Sequence, residues 1–514
     1  MPRNFNKYKR GREVSTRDLD DKKLKGNLQR HDKTVKEAAA RTARAEVLLA
    51  TEAGYVEAEG MERTYHFKQD ELRRNVDAAT AAKMFDLQLE QFGPYALSYT
   101  RNGRRLLIGG ERGHLATFDW HEGKLGCEVH VRETVRDVTW LHNDQMFAVA
   151  QKKYAYIYDA SGAELHCLRS HVEPTRLQFL PYHFLLASVG SAGWLKYQDT
   201  STGQLVAELR TRLGPCNVLA QNPSNAILHA GHGNGTVTLW SPNMSTPLVK
   251  MLCHRAAVRS VAVDASGRYM VSTGADSQVR VWDVRTFKAL HAYATPQPAV
   301  DVRISQTGAV GLAFGPHVQV WTDALRTKAS APHLNHLVNG GGTRVHRIAF
   351  APFEDFLGIG HSAGVSSMVV PGSGEANFDA LELNPFETKK QRQEHEVKML
   401  LEKIQPNLIA LDPNAIGKVD RTPKETIERE RKREWEANHA GEKFDPKFRM
   451  RGKSSSMRRY LRKEANIVDA NRIKLREKLD KAKLDRARAA GHVLEQDNKP
   501  KSVLDRFTVK SQSF

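Results

Sequence analysis

The stretch HRAAVRSVAVDASGRYMVSTGADSQVRVWD, residues 254–283, decides the fold prediction for this chain. It ends in a strand-like run that closes on a Trp–Asp pair, and a Gly-containing turn at 274–278 precedes that run. Similar strand ends recur through the middle of the chain. They fall at Asp119, Asp159, Asp199, Ser241, Asp283, Thr322 and Pro371. Spacings of 39 to 49 residues match a four-stranded propeller blade. Seven copies predict an all-β, seven-bladed β-propeller of the WD40 type.

The same stretch contains four side chains that could suggest a catalytic site. His254, Ser272, Asp276 and Trp282 fall where blades of this type often hold a hydrogen-bonded set. A Ser, a His and an Asp in one repeat resemble a hydrolase triad, but Ser272 has no nucleophile-elbow context such as GxSxG. Buried groups of this kind must satisfy one another. We therefore interpret the set as a structural blade network.

Closing the ring requires one strand from outside the repeat order, because an open ring would expose two sheet edges. Residues 85–89, which read FDLQL, alternate correctly and precede the first repeat. They are the favoured closing strand of the last blade, and residues 378–383 are the rival.

The predicted domains are an N-terminal arm at 1–83, the propeller at 84–381 and a C-terminal extension at 382–514. The net charge of +19 is uneven, with +3 over residues 1–90, +5 over 91–380 and +11 over 381–514. The arms are therefore highly charged, and the C-terminal arm is strongly basic. Basic arms are attracted to polyanions, of which nucleic acid is the commonest in a cell.

Patterns in the arms predict extended, largely helical segments. Helices are expected over 32–51, over a stretch starting at 384 and running through 404, over 421–436 and over 471–490. Between the second and third of these, the apolar segment LIALDPNAIG (408–417) is expected to pack on the disc or on a neighbouring protein.

Several function classes are disfavoured. No apolar run approaches the length of a membrane span, and the polar, basic N-terminus does not resemble a secretory signal. The four cysteines, at 127, 167, 216 and 253, show no CxxC spacing, which favours reduced thiols, an intracellular protein and no structural zinc. No metal site, cofactor or small-molecule substrate is predicted.

A basic segment between Asp445 and Glu464 contains no acidic residue. Flexible Lys and Arg side chains can follow a phosphate backbone, and interleaved aromatic rings can stack on unpaired bases. The predicted RNA-binding residues are Lys447, Arg449, Arg451, Lys453, Arg458, Arg459, Tyr460, Arg462 and Lys463. A solvated tail, a nuclear-import signal and a patch for an acidic protein remain alternative interpretations.

Segments flanking the repeats resemble a known family. They are GYVEAEGMERTY (54–65), VDAATAAKMFDL (76–87), FGPY (92–95), GHLATFDW (113–120), NPFETKKQR (384–392), LDPNAIGKVD (411–420) and SMRRYLRKE (456–464). In order, they resemble the flanks, first blade and basic tail of the BING-four family of nucleolar WD-repeat proteins, called U-three-associated protein seven in yeast. The resemblance spans roughly residues 50–480.

The resemblance implies a non-enzymatic scaffold of the small-subunit processome, required for processing of the small-subunit ribosomal RNA precursor and for early 40S biogenesis. It implies residence in the nucleus and nucleolus. The implied partners are pre-ribosomal RNA, the U-three snoRNA and other processome proteins, including WD-repeat proteins. Docking of protein partners is expected at the C-terminal signature residues Asn384, Pro385, Phe386, Leu411, Asp412 and Pro413.

Two other functions remain possible from the residues alone. A propeller also fits a protein-only adaptor, such as a ubiquitin-ligase substrate receptor or a chromatin adaptor. An enzyme on a propeller is the least favoured, because no metal-ligand cluster or paired-carboxylate motif supports it.

Overall fold

The computed structural model describes residue 16 and residues 22–45, 54–377, 384, 386–413, 428–429, 431–433 and 470–489. The chain divides into two units, Met1–Val419 and Asp420–Phe514. The first unit contains a seven-bladed β-propeller, and each blade is a four-stranded antiparallel sheet. The fold prediction is therefore confirmed.

The first four blades follow the chain without interruption. Their strands are β2–β5 (Tyr95–Tyr99, Arg105–Gly110, His114–Asp119, Lys124–His130), β6–β9 (Val135–Trp140, Met146–Gln151, Tyr154–Asp159, Glu164–Val172), β10–β13 (Pro174–Leu180, Leu185–Gly190, Trp194–Asp199, Leu205–Arg210) and β14–β17 (Cys216–Gln221, Leu228–His232, Thr236–Trp240, Val249–Leu252).

The last three blades complete the ring. Their strands are β18–β21 (Val258–Val263, Tyr269–Gly274, Gln278–Asp283, Lys288–Ala294), β22–β25 (Asp301–Ile304, Val310–Phe314, His317–Trp321, Leu334–Leu337) and β26–β28 (Val345–Phe350, Phe356–His361, Gly364–Val369), joined by β1 (Asp86–Gln88). All seven predicted strand ends coincide with the end of a third strand or lie one or two residues beyond it.

Ring closure uses the favoured N-terminal segment. Strand β1 pairs antiparallel with β28, with Leu87 opposite Val365. The backbone N–H of Ser367 also donates to the carbonyl of Phe85 at 2.9 Å. The edge of the last blade is thereby covered by residues from the other end of the propeller sequence, so the first and last blades are held together.

Burial explains why the strands pack as blades. In β20, Val279 and Val281 face the neighbouring sheet and are buried, while Gln278 and Arg280, which alternate with them, are half-buried. Large aromatic side chains, such as Trp240 and Tyr197, are fully buried between the sheets. Gly235 shows why the turns need glycine, since its φ is +80° and a Cβ there would lie 2.0 Å from the carbonyl oxygen of His254.

The helices lie outside the blades in sequence. Helix α1 spans Lys22–Ala45, and so starts ten residues before the prediction of 32–51. Two short helices, α2 (Gln69–Asn75) and α3 (Ala78–Ala82), precede β1. Helix α4 spans Lys389–Leu401 and lies within the predicted stretch. In the second unit, α5 spans Ala470–Ala489, close to the prediction of 471–490, and residues 428–429 and 431–433 are helical.

Antiparallel strands give the disc two distinct faces. The loops that join first to second strands and third to fourth strands lie on one face, which we call the arm face because residues 386–413 lie there. The loops that join second to third strands and successive blades lie on the opposite face. The first strands of the blades line the central channel.

Candidate functional site

The first part of the C-terminal extension, residues 386–413, crosses the arm face over blades two, three and four in that order. From here on, "the arm" means these residues. Its contacts begin at the β6–β7 loop, pass the loops of blade three and reach the β14–β15 loop. The arm therefore runs around the disc rather than away from it, and three successive blades hold it.

Helix α4 starts at a well-formed cap. The Thr388 hydroxyl accepts from the Gln391 N–H at 3.4 Å, and the Gln391 side chain accepts from the Thr388 N–H at 3.0 Å. This reciprocal pair satisfies two N–H groups that a helix start would otherwise leave without partners. The cap fixes the point where the arm becomes helical.

Polar side chains attach α4 to blade two. Arg392 donates through Nη1 to both carboxylate oxygens of Asp144, each at 3.1 Å. One turn later, Glu396 lies 2.9 Å from Nε2 of His142. Asp144 is almost fully buried, so its pairing with Arg392 is shielded from water and stronger than a surface ion pair.

The end of α4 passes from blade two to blade three. Met399 packs against the core shared by these blades, which includes Leu141 and Phe184. The backbone N–H of Ile404 then donates to the carbonyl of Tyr182 at 2.9 Å. The helix therefore ends at a fixed place over blade three.

Lys403 anchors the arm to the β12–β13 loop. Its Nζ pairs with the carboxylate of Asp199 and lies 2.7 Å from the hydroxyl of Ser201. Burial raises the pKa of Asp199, but hydrogen bonds from Lys403 and Ser201 outweigh it and hold that pKa below its usual value. Asp199 thus remains ionised, as the ion pair requires.

Beyond α4, the arm binds blade four mainly through its backbone. The carbonyl of Ile409 accepts from Ser241 at 2.9 Å and from Asn243 at 3.2 Å, and the carbonyl of Leu411 accepts from Asn225 at 3.2 Å. The Ile409 side chain is only 3% exposed and joins the core around Trp240. Burying one such side chain contributes roughly 1.5–3 kcal/mol. The expectation that 408–417 packs on the disc is confirmed for this residue.

The outward side of the arm carries a row of apolar side chains. Val397 is 58% exposed and Leu401 is 82% exposed, and they lie one turn apart on α4. Leu400, Ile404 and Leu408 are also exposed. We call these five residues the outer stripe. A docked amphipathic helix normally buries its apolar side; here the polar side faces the disc and the apolar side faces outward.

The blade network brings a Ser, a His and an Asp together, as a catalytic triad would. Nε2 of His254 lies 2.8 Å from the Ser272 hydroxyl, and Nδ1 lies 3.1 Å from Asp276. The indole N–H of Trp282 donates to the same hydroxyl at 3.0 Å. Ser272 is completely buried, so no substrate can reach its oxygen. The four groups serve to satisfy one another inside the blade.

Comparison with known proteins identifies the family. Residues 332–412 match the model of the BING4CT (NUC141) domain, and residues 245–283 match the WD domain, G-beta repeat. The chain is 46% identical over 493 residues to U3 small nucleolar RNA-associated protein 7 of Saccharomyces cerevisiae. The aligned residues cover 91% of this chain and 89% of the yeast protein. It is 45% identical over 504 residues to WD repeat-containing protein 46 of Mus musculus, covering 95% and 79% of the two chains.

The chain belongs to the BING-four family. The human WD repeat-containing protein 46 is 44% identical over 492 residues, with 94% and 79% coverage. The resemblance predicted from the flanking segments is therefore confirmed. The BING4CT match runs from the end of blade six through the closing blade and along the arm to Asp412, so the part of the chain that defines the BING-four family includes the docked arm.

The structure places those partner-docking residues of the BING-four signature that it describes at, or directly before, the two ends of the arm. Phe386 is 74% exposed, and the Asn384 side chain accepts from the Phe386 N–H at 2.8 Å. Leu411, Asp412 and Pro413 are exposed beside blade four. Pro385 and all nine predicted RNA-binding residues, from Lys447 to Lys463, lie outside the described residues.

The sequence analysis missed the residues that hold the arm. Arg392, Glu396 and Lys403 looked like ordinary charged helix residues, and their partners lie about 200 or more residues away in sequence. Apolar residues stand at 397, 400, 401 and 404, three and four positions apart along one side of the helix, but no pattern in the sequence indicates that this side faces outward. Only the positions of the loops decide which side of α4 contacts the disc.

In the described part of the chain, there is little support for a metal site, a membrane-spanning helix or a reactive thiol at Cys216 or Cys253. No group of three or more His, Cys, Asp or Glu is placed to hold a metal there. Among the described helices, none is long and apolar enough to cross a membrane. Burial raises the pKa of the Cys216 and Cys253 thiols to about 12, which makes them poor nucleophiles.

Proposed function

We propose that this protein is a non-enzymatic scaffold of the small-subunit processome, needed for processing of the small-subunit ribosomal RNA precursor. Family membership supports the proposal, since a relative that is 46% identical is named for its association with the U3 small nucleolar RNA. A nucleolar location and partners among pre-ribosomal RNA, U3 RNA and other processome proteins are part of the proposal. The blade network, whose polar side chains are bonded to one another inside a blade, agrees with a role without catalysis.

The outer stripe is the observation that carries the proposal. A helix fixed to the disc by Arg392, Glu396 and Lys403 cannot readily turn its apolar side inward. Exposed apolar surface of this kind marks a protein interface. The stripe is proposed to receive an apolar segment of another processome protein, with Phe386 and Leu411 contacting it at the two ends of the arm.

Particle incorporation tests the role of the outer stripe. Val397→Ser with Leu401→Ser should reduce co-sedimentation of the protein with particles that contain U3 RNA several-fold. The melting temperature of the purified protein should change little, because both side chains are already in water. Lys398→Ser is the matched control, since Lys398 is exposed on the same helix. Equal co-sedimentation of the double variant and the control would refute the role of the stripe.

The basic segment is proposed to contact RNA. Reversing Arg458, Arg459, Arg462 and Lys463 to Glu should abolish RNA crosslinks at 447–463 and leave the melting temperature of the disc nearly unchanged. The control reverses four exposed charges of α5, namely Lys474, Arg476, Lys478 and Lys481. Persistence of the crosslinks, or capture of an acidic protein by this segment in place of RNA, would remove the RNA proposal.

A further inference from the structure

The central channel opens on the face opposite the arm into a cavity of about 550 Å³. First strands of several blades line it, and they contribute Arg136, Arg176, Asn217 and His346. We call this cavity the channel mouth. Its volume falls within the range of small-molecule sites, roughly 300–1,000 Å³. The proposed scaffold function does not use it.

Among the residues that the structure describes, two guanidinium groups at the channel mouth have carbonyl oxygens as their only acceptors. Arg176 donates through Nε to the carbonyl of Asn217 at 3.0 Å and through Nη1 to the carbonyl of Arg136 at 3.2 Å. Arg136 donates through Nη1 to the carbonyls of Glu173 and Pro174, both at 3.4 Å. A guanidinium has five N–H donors. Within the described residues, neither group lies in ion-pair distance of a carboxylate, and several of their donors remain available.

The carboxylates deeper in the channel are already engaged. Arg347 pairs with Asp137 at 3.1 Å and with Asp301 at 3.6 Å, and Arg303 also pairs with Asp301 at 3.6 Å. Both carboxylates accept further hydrogen bonds, from Leu177 and Ile348 respectively. They therefore have little capacity to neutralise the arginines above them.

The channel mouth is left with excess positive charge. Burial, followed by the positive charge of Arg347, lowers the pKa of Arg176 to about 10. Burial and Arg347 also lower the pKa of His346 to about 4, so that it is neutral at physiological pH. Glu111 is the acidic residue of the lining, and it is exposed at the rim. An anion seated between the arginines would relieve this repulsion.

We propose that the channel mouth binds a small anion carrying phosphate groups, held between Arg136 and Arg176. Arginine side chains recognise phosphate through paired N–H donors. One phosphate group has enough oxygens to bridge guanidinium groups from two adjacent blades. A single carboxylate has two oxygens, which match the paired N–H groups of one guanidinium. The cavity has room for two or three linked phosphates, and Asn217 adds an amide at its edge.

Thermal unfolding of the full-length chain with tripolyphosphate tests the site. Tripolyphosphate should raise the melting temperature of the wild type, and Arg136→Gln and Arg176→Gln should each remove most of that rise and weaken binding by about tenfold or more. Arg255→Gln is the matched control, because it removes an exposed arginine from a loop on the same face outside the channel mouth. The control also accounts for anion binding by the basic arms, which all variants retain.

Three results would overturn the proposal. The first is an equal rise in all four proteins, which would assign the effect to other basic segments. The second is no rise in the wild type. The third is an equal rise with citrate, which would exclude selection for phosphate. Arg136 is only half-buried, so Arg136→Gln keeps the test decisive even if Arg176→Gln does not fold.

Discussion

At the scale of single residues, Arg347 connects distant parts of the ring. Its guanidinium, buried in the channel, bridges Asp137 of blade two and Asp301 of blade six. Asp137 also accepts from the Leu177 N–H of blade three at 3.0 Å, and Asp301 accepts from Ser260 of blade five at 2.7 Å. Burial works against the charge, but the two carboxylates outweigh it and raise the pKa of Arg347.

Replacing Arg347 should be costly because it leaves two buried carboxylates without their shared partner. We expect Arg347→Met to lower the free energy of unfolding by about 3–5 kcal/mol, measured by urea denaturation. Arg285→Met is the control, because Arg285 is mostly exposed and water screens its ion pair with Asp283, so its loss should change the free energy of unfolding little. An unchanged urea midpoint for Arg347→Met would contradict the bridging role.

At the scale of elements, α4 is held by the side that sequence patterns would assign to solvent. Arg392, Glu396 and Met399 face the disc, while Val397 and Leu401 face outward. Docking therefore depends on a few specific polar contacts rather than on burial of an apolar stripe. Such contacts are sensitive to a single charge change.

Reversing one docking charge should loosen the arm without unfolding the disc. Arg392→Glu places a carboxylate beside the buried Asp144, so we expect faster amide hydrogen exchange over 389–401 by at least tenfold. Lys398→Glu, on a solvent-facing position of the same helix, should leave exchange nearly unchanged. Equal exchange in the two variants would show that Arg392 does not hold the arm.

At the scale of the whole molecule, buried neutral histidines make stability depend on pH. Burial is the main cause that lowers the pKa of five of them to about 4. They are His171, His183, His229, His232 and His346. In the unfolded chain each takes up a proton near pH 6.5, whereas in the fold each does so only near pH 4. The unfolded state therefore binds more protons between these values, and stability falls as the pH is lowered.

The expected decrease in the free energy of unfolding at lower pH can be measured by urea denaturation at pH 7.5, 6 and 5. Each histidine adds up to about 1.4 kcal/mol per pH unit within the window. His229→Leu should make the free energy of unfolding less dependent on pH, by roughly the contribution of one histidine. His229 is fully buried, and leucine is an apolar replacement that does not titrate. A free energy of unfolding that stays constant from pH 7.5 to 5 would contradict this prediction.

The sequence by itself determined the repeat, the ring and the family. Strand ends such as Asp119 and Asp283 recur at the period of a propeller blade. Each blade except the closing one is built from four strands that are consecutive in sequence, and it packs on the blades before and after it. The closing strand at 86–88 was foreseeable because an open edge must be covered. The flanking segments at 384–392 and 411–420 indicated the BING-four family.

Tertiary structure alone decided where the arm lies and what it presents. The pairs Arg392–Asp144 and Lys403–Asp199 join residues separated by 248 and 204 positions, and no local pattern encodes such contacts. The same holds for Arg347 in the channel, which depends on seven strands meeting around one axis. Hydrophobic periodicity reports that a helix has an apolar side, but the electrostatic contacts available on the disc determine which side is buried.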